Sequence, residues 1–468
     1  MTDLAAREWG VVVIGAGNAG LVAAMAAYDA GARDVLVLER SDETFRGGNS
    51  RHTRNIRCVH GSDFSYNTGA YSAEELWSDL CGVGTGPSDP VLAQQTIEAS
   101  QSVPDWMLEH GGRFQKPLAG TLHLGRTNSF FLGGGKALLN SYHRTLRRMG
   151  ITVAYGVRVD ELLVEADRCE GLVVDVSGET LRIRARAFVV AAGGFEANLD
   201  WLAEYWGAGA YNYIVRGPRT NDGLVLKSLL RHDAQVAGEA RGFHSVAVDA
   251  RSPKFDGGIA TRVDCIPFGV VLNRDGVRFY DEGEDIWPKR YAIWGGQIAQ
   301  QPDQIAYALW DAKIDGLFLP PMFGVTSGAT VTEVATKLGL DGATAEGTVC
   351  AYNRAVPADA RDTFDPRDKD GLATVGLTPP KSNWAQRLDS APFYGIALRP
   401  GITFTYMGVR IDSAGHIQRN TGQFANVFAA GEVMSGNILS SGYLAGFGMC
   451  IGTVWGRIAG EGAAHVDR

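Results

Sequence analysis

Cysteine is scarce in this chain. Its six cysteines (Cys58, Cys81, Cys169, Cys265, Cys350, Cys450) lie far apart in 468 residues, with no CxxC. That spacing excludes a zinc ribbon or ferredoxin-type cluster held within the chain, and it does not suit a disulfide scaffold. A reducing cytoplasm is the expected setting. An excess of positive charge is also missing. Lys plus Arg number 44 against 52 Asp plus Glu, a formal charge of −8, so a nucleic-acid partner is not expected. Proline is ordinary at 17, against a collagen-like or low-complexity chain. Two uncharged stretches imitate membrane spans. Trp9–Tyr28 is broken by a glycine-rich turn, and Val433–Gly456 holds six glycines, three serines and an asparagine. Neither suits a lipid-facing helix, so no transmembrane segment is expected.

What is present in excess is glycine. Sixty residues are nearly double the usual share of about 7%, which places tight turns or close backbone–ligand contacts in the fold. Hydrophobic residues are 45% and charged residues 21%, the balance of a folded globular chain. At roughly 100–200 residues per domain, two or three domains are expected.

The glycines have an order. Val11–Ile14 is a β-branched run that suits a buried parallel strand. Gly15-Ala16-Gly17-Asn18-Ala19-Gly20 follows, then a helix-like stretch from Leu21 to Ala30 and a second strand, Val35–Leu38, that ends at Glu39. Strand, turn, helix and acid in one βαβ unit form a dinucleotide fingerprint. In it the turn admits a pyrophosphate, the helix N-terminus attracts it and the acid accepts ribose hydroxyls. Phe188–Gly194 reads as another buried strand ending in glycines, and Asn426–Glu432 as a strand running into Gly431-Glu432. A site drawing on both ends of the chain favours FAD over NAD. No metal site is expected.

Gly133-Gly134-Gly135-Lys136 opens an amphipathic helix closed by Gly150, without the spacing of a phosphate-binding P-loop. Short strands are expected at Thr152–Val159, Gly171–Val176 and Thr180–Ala185, with Asp362–Gly371 a charged loop. From about Gly238 the fingerprints stop, and they return near Gly395. The expected fold is therefore α/β with an α+β cap: a Rossmann-like FAD-binding domain in two parts, 1–238 and 396–468, and an inserted substrate-capping domain, 239–395.

The order GAGNAG, GGNS, GGGK, AAGGFEAN, NDG, RFYDE and AAGE resembles the fumarate reductase/succinate dehydrogenase flavoprotein superfamily over nearly the whole chain. The segments Gly47–Asn55 and Ser441–Gly448 look most like FAD-dependent tricarballylate dehydrogenase. With the motifs, the resemblance gives the expected contacts to noncovalent FAD: Gly15, Gly17, Asn18, Ala19, Gly20, Glu39, Arg40, Gly48, Asn49, Ser50, Val159, Ala192, Gly193, Gly194, Asn221, Asp222, Gly431, Glu432, Tyr443 and Leu444.

Departures from the family accompany these matches. Thr403 and Phe404 stand where soluble fumarate reductases have histidines, and Tyr443 stands where they have a substrate-clamping arginine. Tyr443 in that frame is similar to the 3-ketosteroid dehydrogenases, where a tyrosine holds the substrate carbonyl. Arg51, His52, Arg54 and Arg57 form a basic cluster suited to carboxylates, and Arg51, His52 and Arg54 are expected, with Tyr443, to bind substrate. The resemblance implies a flavin-facing His244 and a proton-shuttling arginine near Arg290. Because arginine is almost never deprotonated, Tyr406, Tyr443 or His244 is the alternative base.

The expected activity is an FAD-dependent CH–CH dehydrogenase. It would take a tricarballylate-like acid to an aconitate-like product by proton abstraction and hydride transfer to flavin N5. The alternatives are a ketone or natural-product desaturase and a flavin-dependent hydroxylase. The expected partners are a small carboxylate or ketone and a separate electron acceptor, which the resemblance gives as a membrane-bound iron–sulfur protein.

Overall fold

The computed structural model describes residues 4–466 except 63, 85, 118–123, 285–290, 315, 319, 359 and 361–368. Arg290 and most of the Asp362–Gly371 segment lie outside the described residues. Two compact units emerge: residues 1–201, 217–243 and 404–468 form one, and residues 202–216 and 244–403 the other. The second unit thus takes in 202–216, which the sequence reading placed before the insertion.

The first unit is built on β1 (Glu8–Ile14), α1 (Asn18–Asp29), β2 (Val35–Glu39), α2 (Gly134–Met149), β3 (Thr152–Tyr155), β4 (Val157–Glu165), β5 (Arg168–Val176), β6 (Glu179–Val190), β7 (His416–Arg419), β8 (Gly422–Ala429) and α3 (Phe447–His465). Its main sheet runs β7-β8-β6-β1-β2-β3. The pairs β8–β6, β6–β1, β1–β2 and β2–β3 are parallel. Val11, Val12, Val13 and Ile14 are all buried, as an apolar strand covered on both faces requires.

Two strand expectations are corrected. Gly156, at φ 68°, divides Thr152–Val159, so that β3 joins the main sheet while β4 pairs antiparallel with β5. Thr180–Ala185 and Phe188–Val190 are one strand, β6. Its first half alternates buried and exposed positions against β5, and its last four residues are all buried. The change of period within one strand made it read as two.

The glycine-rich C-terminal run has a packing cause. An added Cβ at Gly456 would stand 2.7 Å from the Ala19 carbonyl oxygen, and one at Gly460 would stand 2.2 Å from that of Ala23. These glycines let α3 lie against α1 at backbone distance. Among the described residues no helix is long and apolar enough to cross a membrane.

In the second unit Phe243–Asp249, Phe393–Thr405, Ala306–Asp311 and Val270–Asn273 lie in that order in a sheet, with Ile214–Val215 and Thr326–Gly328 added on the long strand. Strand periodicity sends Val270, Leu272, Tyr307 and Leu309 to one face, against helices Val331–Lys337 and Gly342–Ala355. Val271, Ala308, Trp310 and Ile396 go to the other, against Trp294 and Ile298.

Candidate functional site

The fingerprint glycines divide their work. Gly15 has φ +108°, and a Cβ there would stand 2.4 Å from the Ala191 carbonyl oxygen; one on Gly20 would stand 1.9 Å from that of Gly15. Gly15 lets the turn after β1 lie against the chain leaving β6, and Gly20 lets α1 pack on the end of β1. Beside Gly17 the nearest atoms are Ser50 Oγ at 3.5 Å and the Gly47 carbonyl oxygen at 3.7 Å, so that position opens on space. Helix α1 begins there with a capping glycine that has no side chain and with no acid in its first turn. Asn18 N–H donates to Ser50 Oγ at 3.0 Å. The first turn also brings N–H groups that have no intrahelical acceptor, and the positive end of the dipole. A pyrophosphate fits this cradle.

Glu39 closes β2, buried, with burial raising its carboxyl above the ordinary range. Its oxygens accept N–H bonds from Ala16 at 3.0 Å and Ser41 at 2.8 Å, so it pins the turn while keeping lone pairs for a ribose. Arg40 donates to Asp222 at 2.6 Å and to the Thr220 carbonyl at 3.1 Å, which ties the end of β2 to the Asn221-Asp222-Gly223 loop. Val159 is buried in β4 opposite Val174, and Leu444 is buried beside Tyr443.

The remaining motifs converge on two acids. Asn49 Nδ2 donates to Glu196 Oε1 at 2.7 Å and lies 3.4 Å from Glu432 Oε2. Asn221 Nδ2 donates to Glu196 Oε1 at 2.8 Å, and Thr405 N–H to Glu432 Oε1 at 2.9 Å. Gly194 leaves the room: a Cβ there would stand 2.2 Å from Glu432 Oε1 and 2.1 Å from Thr405 Oγ1. Sequence reasoning named Asn49, Asn221, Gly193, Gly194, Gly431 and Glu432. It missed Glu196 and Thr405, although Glu196 follows directly on Gly193-Gly194-Phe195.

Tyr443 and Tyr406 differ in their ties. The Tyr443 phenol oxygen accepts the Gly448 N–H at 3.0 Å; Gly448 is the second residue of α3. Tyr406 is fully buried and donates to the Gly442 carbonyl at 2.8 Å, propping the loop that carries Tyr443. The Phe404 ring lies about equally far from both, 6.0 Å from Tyr443 and 6.1 Å from Tyr406.

Arg57 parts from the rest of the basic cluster. Arg51 donates to the Phe45 carbonyl at 2.7 Å and lies over the Phe45 ring. His52 and Arg54 are half-buried. Arg57, their neighbour in sequence, is fully buried and bonded to the Ala445 carbonyl, the Tyr71 hydroxyl and Asp79, a structural role.

In the second unit His244 is buried, with the Tyr291 ring centroid 5.6 Å away. Burial, and then the charges of Arg216 and Arg262, hold its pKa well below the usual imidazole value, so it is neutral at pH 7. Arg216 donates to Thr403 Oγ1 at 2.7 Å, and Arg262 pairs with Asp264 at 2.6 Å.

The matched family confirms the cradle's ligand, since residues 10–446 match the family described as FAD binding domain. The chain belongs to this family. It is a flavoprotein that takes FAD and is thereby placed among FAD-dependent oxidoreductases. The chain is 26% identical over 483 residues to the NADH:fumarate oxidoreductase of Klebsiella pneumoniae (strain 342), which covers 100% of this chain and 48% of that protein. It therefore spans about half the length of that relative. It is 25% identical to the 3-oxosteroid 1-dehydrogenase of Mycobacterium tuberculosis (strain ATCC 25618 / H37Rv), over 78% of this chain and 69% of that protein. The fold is similar to the open conformation of a flavocytochrome c3 fumarate reductase, with a TM-score of 0.75 and 22% identity, over 99% of this chain and 79% of that one.

Proposed function

We propose that the protein is an FAD-dependent dehydrogenase that introduces a C=C bond next to a carbonyl group. Bound FAD supplies the two-electron chemistry by accepting a hydride. Loss of the α-proton puts negative charge on the carbonyl oxygen, and stabilising that charge falls to the protein. The observation that carries the reading is the Tyr443 phenol, which accepts the Gly448 N–H at 3.0 Å. A phenol that accepts such a bond is a stronger donor to a second oxygen. The N-terminus of α3, 19 residues long, favours negative charge beside it.

This arrangement favours a ketone over the tricarballylate-like acid. The acid would need Arg51 and Arg54 as its clamp, and Arg51 already donates to the Phe45 carbonyl. The 3-oxosteroid 1-dehydrogenase among the relatives supports the ketone reading; the NADH:fumarate oxidoreductase keeps the acid as the second. His244 is proposed as the proton acceptor, a role in which bound substrate must offset the burial and the charges of Arg216 and Arg262 that weaken it as a base, and Arg290 as a charge stabiliser. Residues 239–395 serve as the substrate cap. A separate electron acceptor, such as a membrane-bound iron–sulfur protein, reoxidises the enzyme in a cytoplasmic setting.

Anaerobic titration of the oxidised holoprotein with saturated ketones and with polycarboxylates tests the reading. Bleaching of the flavin by a ketone supports it. Bleaching by tricarballylate alone replaces it with the acid reading.

A further inference from the structure

Glu196 and Glu432 follow the C-terminal ends of two adjacent parallel strands, β6 (to Val190) and β8 (to Ala429), and the Asn49 amide reaches both carboxyl groups, which act directly on each other. Glu196 is fully buried and Glu432 is 9% exposed. Counting donors exposes a deficit. Glu196 Oε1 takes the amides of Asn49 and Asn221. Glu432 Oε1 takes the backbone N–H and the hydroxyl of Thr405, at 2.9 and 3.3 Å. Glu432 Oε2 has only the long 3.4 Å approach of Asn49 Nδ2. Glu196 Oε2 is buried, and no hydrogen bond to it from another described residue is found. Two buried carboxylates that share one amide donor repel each other, and a proton held by one of them removes that repulsion.

We propose that Glu196 and Glu432 share one proton and enter the FAD site as a single acid–carboxylate pair of net charge −1, closing the loops of Asn49, Asn221 and Thr405 around it. The groups acting on the pair are each other, those three polar residues and the backbone N–H of Glu196 itself. Asp222, the charged neighbour of Asn221, is paired with Arg40 at 2.6 Å. Burial raises both carboxyls above the ordinary range, in keeping with a pair that titrates as one unit.

The test uses holoprotein with FAD bound, at pH 7. Infrared spectroscopy should find the carbonyl stretch of a protonated carboxyl, shifted in D2O. It should disappear in Glu196→Gln, where the new amide supplies the missing donor and Glu432 ionises. The midpoint potential of bound FAD should stay the same in Glu196→Gln, because the charge is −1 before and after. It should rise in Glu196→Gln/Glu432→Gln, where that charge is gone. A wild type without the infrared band, or a raised potential in Glu196→Gln, would mean that both acids are ionised and would overturn the proposal. A band that persists in Glu196→Gln would overturn it too, by assigning the proton elsewhere or to a doubly protonated pair. Glutamine at 196 fills the same space, so retained FAD absorbance reports an intact fold.

Discussion

In the second unit Glu282 lies beside two cations; in the first, Glu196 lies beside another acid. Arg278 Nε donates to Glu282 Oε1 at 3.0 Å, its Nη2 meets Oε2, and Val271 N–H adds a bond at 2.9 Å. Lys381, fully buried, donates to the Gly269 carbonyl at 2.7 Å, and burial lowers its pKa to about 8. That cluster compensates its own charge and holds the cap's sheet to its flanking chain. Among the described residues no cation is among the main groups acting on the Glu196–Glu432 pair, and such a pair is costly to bury. It persists where the motif loops meet, which is where a fold tolerates such a cost for function. Compensated buried charge here marks structure, and uncompensated buried charge marks the site.

The largest expected effect probes that contrast directly. Glu282→Gln leaves two buried cations without a carboxylate and should cost about 3–5 kcal/mol in urea unfolding. Glu196→Gln removes no counter-ion and should cost less than about 1 kcal/mol, or add stability. Equal losses would break the comparison.

The glycines sharpen it within the first unit. Gly20→Ala drives a methyl into the Gly15 carbonyl, 1.9 Å away, and should destabilise the fold by about 3 kcal/mol. In Gly17→Val the added Cβ meets nothing closer than 3.5 Å. That variant should fold with a nearly unchanged melting temperature while FAD affinity falls at least ~100-fold, about 2.7 kcal/mol. Calorimetry and the flavin absorbance of purified protein check both.

A smaller effect concerns pH. His143 is buried beside the Tyr155 hydroxyl, at 3.2 Å, and burial lowers its pKa to about 4. The unfolded chain binds this proton first, so stability should fall as pH drops from 6.5 towards 4, by about 2 kcal/mol at pH 5. The raised Glu196–Glu432 pair acts with the opposite sign: the folded chain holds a proton that the unfolded chain has released, so stability falls as pH rises above about 4.5. His143→Gln should flatten the acid limb of the urea midpoint against pH, and Glu196→Gln the neutral one.

Local pattern made part of this legible. β1, α1 and β2 could be read from Val11 to Glu39 because their periods and the glycine spacing lie within one short segment. The cofactor followed because Gly431-Glu432 repeats the pattern at the far end. The acid pair was hidden because Glu196 and Glu432 are far apart in sequence and only parallel pairing of β6 with β8 brings them together. Charge spacing misled at Arg57: sequence adjacency to Arg51 and Arg54 suggested one ligand cluster, yet burial against Asp79 and Tyr71 gives Arg57 a different task.

The measurement closest to the central claim is the rate of anaerobic flavin reduction by the best substrate, in Tyr443→Phe and in Arg51→Met. If Tyr443 donates to a developing enolate oxygen, Tyr443→Phe should slow reduction about 10²–10³-fold with FAD still bound, and Arg51→Met should change it less than about threefold. A large loss in Arg51→Met with near wild-type reduction in Tyr443→Phe would contradict the account and return the substrate to the carboxylates.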